Sequence, residues 1–484
     1  MFDFISKEDL DREIYRLCDL FNQGLIIETL AQTEKLLQTF PRSAALLVIA
    51  GDANTKLKRY ESGIKNYKMA LEIKPDFAVT HFNLGNALYE KGELEEALKS
   101  YVEAIRLKPD YAVSYLNMGN VLKEKGELEA AIKNYSEAIR LKPDYAQAHR
   151  NFCFSLEEQG NLEEVLVAYK RALKVCTNDL DVFLRYEIIL AQLYETKQLF
   201  KEINSECIEN LNTRLLENPS HQNIQSIYHF LQGDYASSEK YLNSHKELFI
   251  SVKTLDTVIK YVGYHDFLRH LIDKMPLPNP TSKDKIYHIG DSHCLSYAHH
   301  RLKISQQVFS ISPVHTIGAK AFHFSTEKMN NFKSITRRNL NSIPINSLVF
   351  VSFGEIDCRR DEGLIRASLK NQIRLKALVQ RTVHGYIKWF LEENNENRHK
   401  YKFFNVPAPV YDKKLAWKDN LQVSKVIKLF NRRLKKELQE HSLGLIDIYL
   451  PTVAGNGFSN NLYHCDNWHL DSRIIPFIQK QFNC

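Results

Sequence analysis

Long apolar runs are missing from this chain: no stretch approaches the ~18 consecutive apolar residues that a membrane-spanning helix needs. The first residues, MFDFISKEDLDREIYRL, carry acids early and lack an uninterrupted apolar core, so no secretory signal is expected. Patterned cysteine is missing too. The eight cysteines are scattered, with no CxxC pair and no regular spacing, which argues against both a disulfide framework and a zinc site. The terminal FNC is not a prenylation box. Reduced thiols in a cytoplasmic protein are the expectation. Charge of one sign is also scarce. The 65 Lys and Arg against 58 Asp and Glu leave +7, too mild and too dispersed for a nucleic-acid binder. The most basic stretch, residues 359–402, alternates its charges with apolar residues as a solvated helix face does.

What is present is a repeat. Pro41, Pro75, Pro109 and Pro143 are spaced by 34 residues, and so are Gly51, Gly85 and Gly119. Tyr67, Tyr101, Tyr135 and Tyr169 keep the same step, as do Ala70, Ala104, Ala138 and Ala172, and Gly92, Gly126 and Gly160. Each unit, such as AVTHFNLGNALYEKGELEEALKSYVEAIRLKPDY (78–111), reads as two amphipathic helices joined at EKGEL and closed by proline. Small residues stand where the helices approach closely, and the aromatic fills the gap opposite. This strongly resembles the tetratricopeptide (TPR) repeat. Five repeats are expected over about 8–179, an all-α TPR solenoid occupying residues 1–179. Residues 180–272 continue as a helical extension, with a degenerate repeat at 228–248.

Such stacks usually bind a protein or peptide segment in a concave groove. Asn83, Asn117 and Asn151 recur at one position of the first helix, with Asn86 and Asn120 three residues after the first two. The pattern is similar to the asparagine ladder of O-linked N-acetylglucosamine transferases, where side-chain amides hold an extended peptide. An amide offers both donor and acceptor, which suits backbone recognition. The same asparagines also read as consensus residues that tune turns and solubility. Nothing in the C-terminal half resembles that family's glycosyltransferase domain.

The texture changes at DKMPLPNPTSKDK (273–285), a Pro-rich linker that cannot continue a helix. In the domain at 286–484, KIYHIG, QVFSISPVHTIG, SLVFVSFGEID, KYKFFNVPAPV and LGLIDIYLP read as strands. Helical patterns lie between them near 295–304, 362–395 and 420–442, and a last helix follows His469. This alternation implies a mostly parallel sheet covered on both faces, with ligands at the carboxyl ends of its strands.

Chemistry-bearing residues cluster at those ends. Ser292, in GDS after the first strand, needs a general base, and His469 offers one near neutral pH. Asp466, three residues before His469, orients its ring if the intervening turn is helical. Ser292 also reads as a cap of the helix after that strand, and His469 as a ring packed on Trp468. His293, His299 and His300 invite a metal reading. His299 and His300 are adjacent, however, and no HxH or HxxxH pair is completed by carboxylates, so neither metal nor cofactor is expected.

Taken in order, GDS at 290–292, Gly318, GEID at 354–357 and DNWH at 466–469 resemble the four blocks of SGNH, or GDSL-type, hydrolases. The resemblance implies an α/β/α flavodoxin-like domain with Ser292, Asp466 and His469 as catalytic triad. It also implies an oxyanion hole from the backbone N–H groups of Ser292 and Gly318 and from an asparagine amide. Ile356 stands where that asparagine belongs. Losing one such donor typically costs on the order of 10²–10³ in rate. Arg359 is the nearest candidate substitute. The expected function is a TPR-scaffolded serine esterase or O-acyltransferase acting on an ester-linked acyl group, with a carbohydrate as one acceptor. Acyl transfer gains from a similarity to plant polysaccharide O-acetyltransferases of the trichome-birefringence-like kind, which pair GDS with an Asp…His-Trp element; here the order is Trp468-His469. The alternative is a catalytically degenerate SGNH-like binding module delivered to protein partners by the repeats.

Overall fold

The computed structural model describes residues 7–176, 179–193, 218–243, 256–274, 282–394 and 398–482. These form two compact units that divide between Gln159 and Gly160. The first unit is nine helices: α1 (Lys7–Asn22), α2 (Ile26–Thr39), α3 (Ala44–Lys56), α4 (Tyr60–Ile73), α5 (Ala78–Lys91), α6 (Leu94–Leu107), α7 (Ala112–Glu124), α8 (Leu128–Leu141) and α9 (Ala146–Gln159).

The period of 34 has a packing cause. Gly51, Gly85 and Gly119 on the first helices lie against the rings of Tyr67, Tyr101 and Tyr135 on the second helices. A Cβ there would stand only 2.5–2.6 Å from the ring. The three tyrosines are completely buried, and burial raises their pKa values so that each phenol stays a donor. Gly92 ends α5 with φ +86°, the left-handed conformation that glycine adopts without a Cβ penalty.

The second unit begins with α10 (Leu162–Val175), α11 (Leu180–Gln192), α12 (Pro219–Leu231), α13 (Tyr235–Asn243) and α14 (Asp256–Lys274). It continues as β1 (Lys285–Gly290), α15 (His293–Ser296), β2 (Arg301–Ile304), β3 (Gln307–His315), α16 (Ala321–Ser325), α17 (Asn331–Ser342), β4 (Leu348–Ser352) and α18 (Glu355–Cys358). The rest is α19 (Leu364–Asn371), α20 (Leu375–Glu393), β5 (Lys400–Phe404), α21 (Trp417–Glu440), β6 (Gly444–Ile446), α22 (Tyr449–Thr452) and, after a short 3₁₀ turn, α23 (Ile475–Lys480). The described helices α10–α14 thus belong to the compact unit that holds the sheet. Residues 275–281 of the expected linker and 244–248 of the degenerate repeat lie outside the described residues.

The six strands make a mixed sheet ordered β2-β3-β1-β4-β5-β6. Pairings from β3 to β6 are parallel; β2 runs antiparallel to β3. Strand alternation divides the core. Ile289, Val349, Val351 and Phe403 face α20 and α21, whereas Ile286, Phe350, Phe404 and Ile446 face α23. Residues 295–304, expected as helix, instead leave α15 after one turn and form the hairpin β2–β3. Its tight connection places Ser305 at φ +55°. The apolar spacing of so short a segment suits either structure, and pairing along β3 decides it. Against the segment after β1, α12, α13 and α14 pack Ile227, Phe230, Leu242, Phe267 and Leu271 onto Cys294, Leu295 and Ala298.

Candidate functional site

Ser292 follows β1, whose last residue, Gly290, lies so close to the neighbouring strand that a Cβ would stand 2.2 Å from Ser352 Oγ and 2.9 Å from its carbonyl oxygen. Ser292 occupies the N-cap of α15, yet its hydroxyl makes no capping bond. Instead Oγ lies 2.8 Å from His469 Nε2. His469 Nδ1 lies 2.6 Å from Asp466 Oδ2. With the Nδ1 proton directed at that carboxylate, the Nε2 lone pair faces the Ser292 hydroxyl. The Asp466–His469 turn is not helical. Asp466 Oδ1 accepts from the N–H groups of Trp468 and His469, both at 2.7 Å, so the carboxylate itself folds the turn. Burial opposes ionisation of Asp466. The hydrogen bond and charge of His469, together with these backbone donors, prevail and hold its carboxyl well below the usual range. Ser292 and His469 are buried, and Phe267 of α14 stacks on the His469 ring at 4.0 Å between centroids.

Gly318 lies in the loop after β3 at φ +70°. That loop is tied down from two sides. Thr316 N–H donates to Gly290 O at 2.9 Å, and Ile317 N–H donates to Gln192 Oε1 of α11 at 2.7 Å. Asn339 of α17 in turn donates to Gln192 O. In GEID, Asp357 accepts from the N–H groups of Ala321 and Phe322 and so caps α16. Burial, only partly offset by those donors, pushes Asp357 up to about 6. Ile356 is buried and brings no polar group.

Arg359, expected as a substitute oxyanion donor, spends its guanidinium elsewhere. Nε lies 2.9 Å from Glu355 Oε1 and Nη2 lies 2.8 Å from Oε2, a bidentate pair, while Nη1 reaches Glu362 at 3.6 Å. Its plane lies over the Trp468 indole at 5.0 Å. The pairing has a local cause: residues four apart on a helical turn meet before anything distant can.

His293 completes this layer. Its N–H and Nδ1 both contact Asp291 Oδ1 at 3.0 Å, and Nε2 faces the Trp468 carbonyl at 3.0 Å. Burial lowers its basicity, but Asp291, Glu355 and that carbonyl outweigh it and raise the imidazole to about 9. Donor atoms of Asp291, His293 and Glu355 lie within 4.8 Å of one another. A metal would need an imidazole lone pair, however, and both ring nitrogens already face oxygen. His299 and His300 are not part of that cluster; His299 contacts Phe230 O.

The half-buried asparagines of the first unit form a ladder along the stack. Asn117 Nδ2 donates to Asn86 Oδ1 at 2.8 Å, and the same oxygen accepts from Tyr101 Oη at 2.7 Å. Asn151, Asn120 and Tyr135 repeat this one step on. Asn83 and Tyr67 repeat it one step back, on Asp52. Each rung joins consecutive repeats, a use that the spacing of Asn and Tyr together could have disclosed. Gln192 and His293 carried no such signal, because their partners are backbone atoms 125 and 175 positions away in sequence. Phe267 carried none either, since the ring it covers belongs to a distant part of the chain.

Residues 51–92, 85–126 and 119–152 match a family model described as TPR repeat. Among solved structures the chain is similar to the crystal structure of MamA, at 24% identity over 32% of this chain and 91% of that one, with a TM-score of 0.31. It is also similar to TTC0263, a thermophilic TPR protein of Thermus thermophilus, at 24% identity over 36% and 96%, TM-score 0.31. A third is a MamA fragment from Desulfovibrio magneticus RS-1, at 19% identity over 35% and 94%, TM-score 0.31. No curated protein matches the chain. Residues 51–152 are therefore TPR repeats, a class of scaffold for protein–protein interaction.

Proposed function

We propose that residues 286–484 are an SGNH-type α/β/α domain working as a serine esterase or O-acyltransferase, and that the repeats bring it to a protein partner. The observation that carries this reading is the unbroken contact chain Ser292–His469–Asp466. The parallel strands, counted without the antiparallel edge, run 2-1-3-4-5, the order of flavodoxin-like sheets. Ser292 and Gly318 both stand beyond carboxyl ends of those strands. The free thiols of Cys18, Cys294, Cys358 and Cys465 fit a reducing compartment, and we place the protein in the cytoplasm. No described helix is long and apolar enough to cross a membrane.

In this mechanism Ser292 Oγ attacks the ester carbonyl while its proton passes to His469 Nε2. The Ser292 and Gly318 N–H groups receive the developing oxyanion. His469 returns the proton to the departing alkoxide. Water, or an acceptor hydroxyl in the transferase variant, then takes the acyl group from Ser292. A carbohydrate hydroxyl suits the role of alcohol. The test is hydrolysis of a small acetyl ester by wild type and by Ser292→Ala. Turnover lost in the variant supports the reading, and equal rates refute it.

A second reading has its own observation. Ile356 and the Glu355-bound Arg359 supply no side-chain donor for an oxyanion. A domain that binds acyl esters without turning them over would follow. Ile356→Asn separates the two: a gain in hydrolysis marks a weakened enzyme, and no hydrolysis by wild type or by this variant favours the binding module.

A further inference from the structure

We propose that His293 is a permanently protonated positioning residue that holds the Asp466–His469 turn against Ser292 through the Trp468 carbonyl. The proposal rests on the serine-hydrolase reading above and adds a residue to its machinery.

The case starts from hydrogen-bond geometry. An imidazole with a single proton can donate from one nitrogen only. In His293 both nitrogens face acceptors at 3.0 Å, Asp291 Oδ1 on one side and Trp468 O on the other. Neither acceptor has a proton to give: one is a backbone carbonyl, the other a carboxylate that despite its burial is held ionised by the charge and hydrogen bonds of His293, with Arg359 beyond. Two protons on the ring satisfy both contacts. A neutral ring would leave one oxygen facing a lone pair in a buried site, which is costly.

Charge agrees. The positive ring lies between the carboxylates of Asp291 and Glu355, and Glu355 also holds Arg359, so two cations meet two anions. The other titratable groups around the ring are His469, with centroids 5.4 Å apart, and His464 and His288. Burial keeps His464 and His288 neutral, at about 4 and about 3.

The consequence reaches the base. Trp468 is gripped at two places, its carbonyl by His293 and its indole by Arg359. Its own N–H donates to Asp466 Oδ1, the carboxylate whose other oxygen orients His469. Both grips come from the ends of β1 and β4, the strands beside the nucleophile. The bond from His293 spans 175 positions of sequence and ties the turn to the residue next to Ser292. The same layer that leaves no amide at Ile356 thus fixes where the base stands.

The test combines a spectroscopic and a kinetic readout. In histidine-labelled protein at neutral pH, ¹⁵N shifts should show both His293 nitrogens protonated, the assignment coming from loss of that signal in His293→Gln. A ring with one bare nitrogen at neutral pH overturns the proposal. On the small acetyl ester, His293→Leu should lower kcat by roughly 10²-fold with KM unchanged, since misplacement of a catalytic group costs about that much. His293→Gln keeps a donor for the Trp468 carbonyl and should recover part of the loss. Folding of each variant is checked by circular dichroism. Wild-type turnover with an equally active His293→Leu overturns the positioning role alone. An inert wild type defeats the hydrolase reading and the proposal with it.

Discussion

Asp466 uses its two carboxylate oxygens for different tasks: Oδ2 orients His469, and Oδ1 folds the turn that delivers it. Asp466→Asn keeps the size but favours the wrong imidazole tautomer, so ester turnover should fall by roughly 10⁴-fold while the fold persists. The pH dependence follows from the sign of the shift. Despite burial, the carboxyl is held below its ordinary value, so its stabilising effect is complete above the unfolded carboxylate range. The effect is lost only as pH falls through the folded value. Thermal unfolding of the second unit should therefore keep this contribution through the mildly acidic range and lose it only in strong acid. The residues at this scale were unevenly legible. Ser292, Asp466 and His469 stand in short patterns with fixed order, and the structure brings them within hydrogen-bond distance. Arg359 misled because its partner lies four positions away, where a local carboxylate outcompetes a distant reacting centre. Arg359→Ala should lower turnover by releasing the Trp468 indole and leaving Glu355 unpaired; Arg359→Lys should recover little of it, because an ammonium cannot reproduce the fork.

At the scale of elements, the repeats show how one spacing can serve two explanations. Small residues at period 34 announced helix pairs, and those pairs are present. The asparagines at the same period form rungs between consecutive repeats, a use that depends on tyrosines from the second helices. Asn117→Ala removes one donor from Asn86 Oδ1, which keeps Tyr101, so the first unit should lose about 1 kcal/mol in denaturant unfolding. Gly119→Ala is the harsher change, because its Cβ would meet the Tyr135 ring at 2.6 Å; overpacking of this kind costs about 1–3 kcal/mol. In the second unit, five strands were legible from their apolar runs. β2 was not, since four residues with mixed polarity carry neither period clearly. The place of α14 was also hidden: nothing local marks Phe267 as the ring that covers His469. Phe267→Ala should destabilise the second unit by about 3–5 kcal/mol, read as an earlier thermal transition.

For the whole molecule, the chain joins a stack of TPR repeats to a unit in which α10–α14 and a mixed sheet share one set of contacts. The division of labour we propose is recognition by the first and ester chemistry by the second. That chemistry depends on Ser292 being an activated nucleophile. The most direct measurement is reaction of the full chain with a fluorophosphonate probe, followed by peptide mapping. One adduct per chain on the peptide containing Ser292, absent in Ser292→Ala and strongly slowed in His469→Ala, is the expected result. No adduct at Ser292, or labelling indifferent to His469, would contradict it.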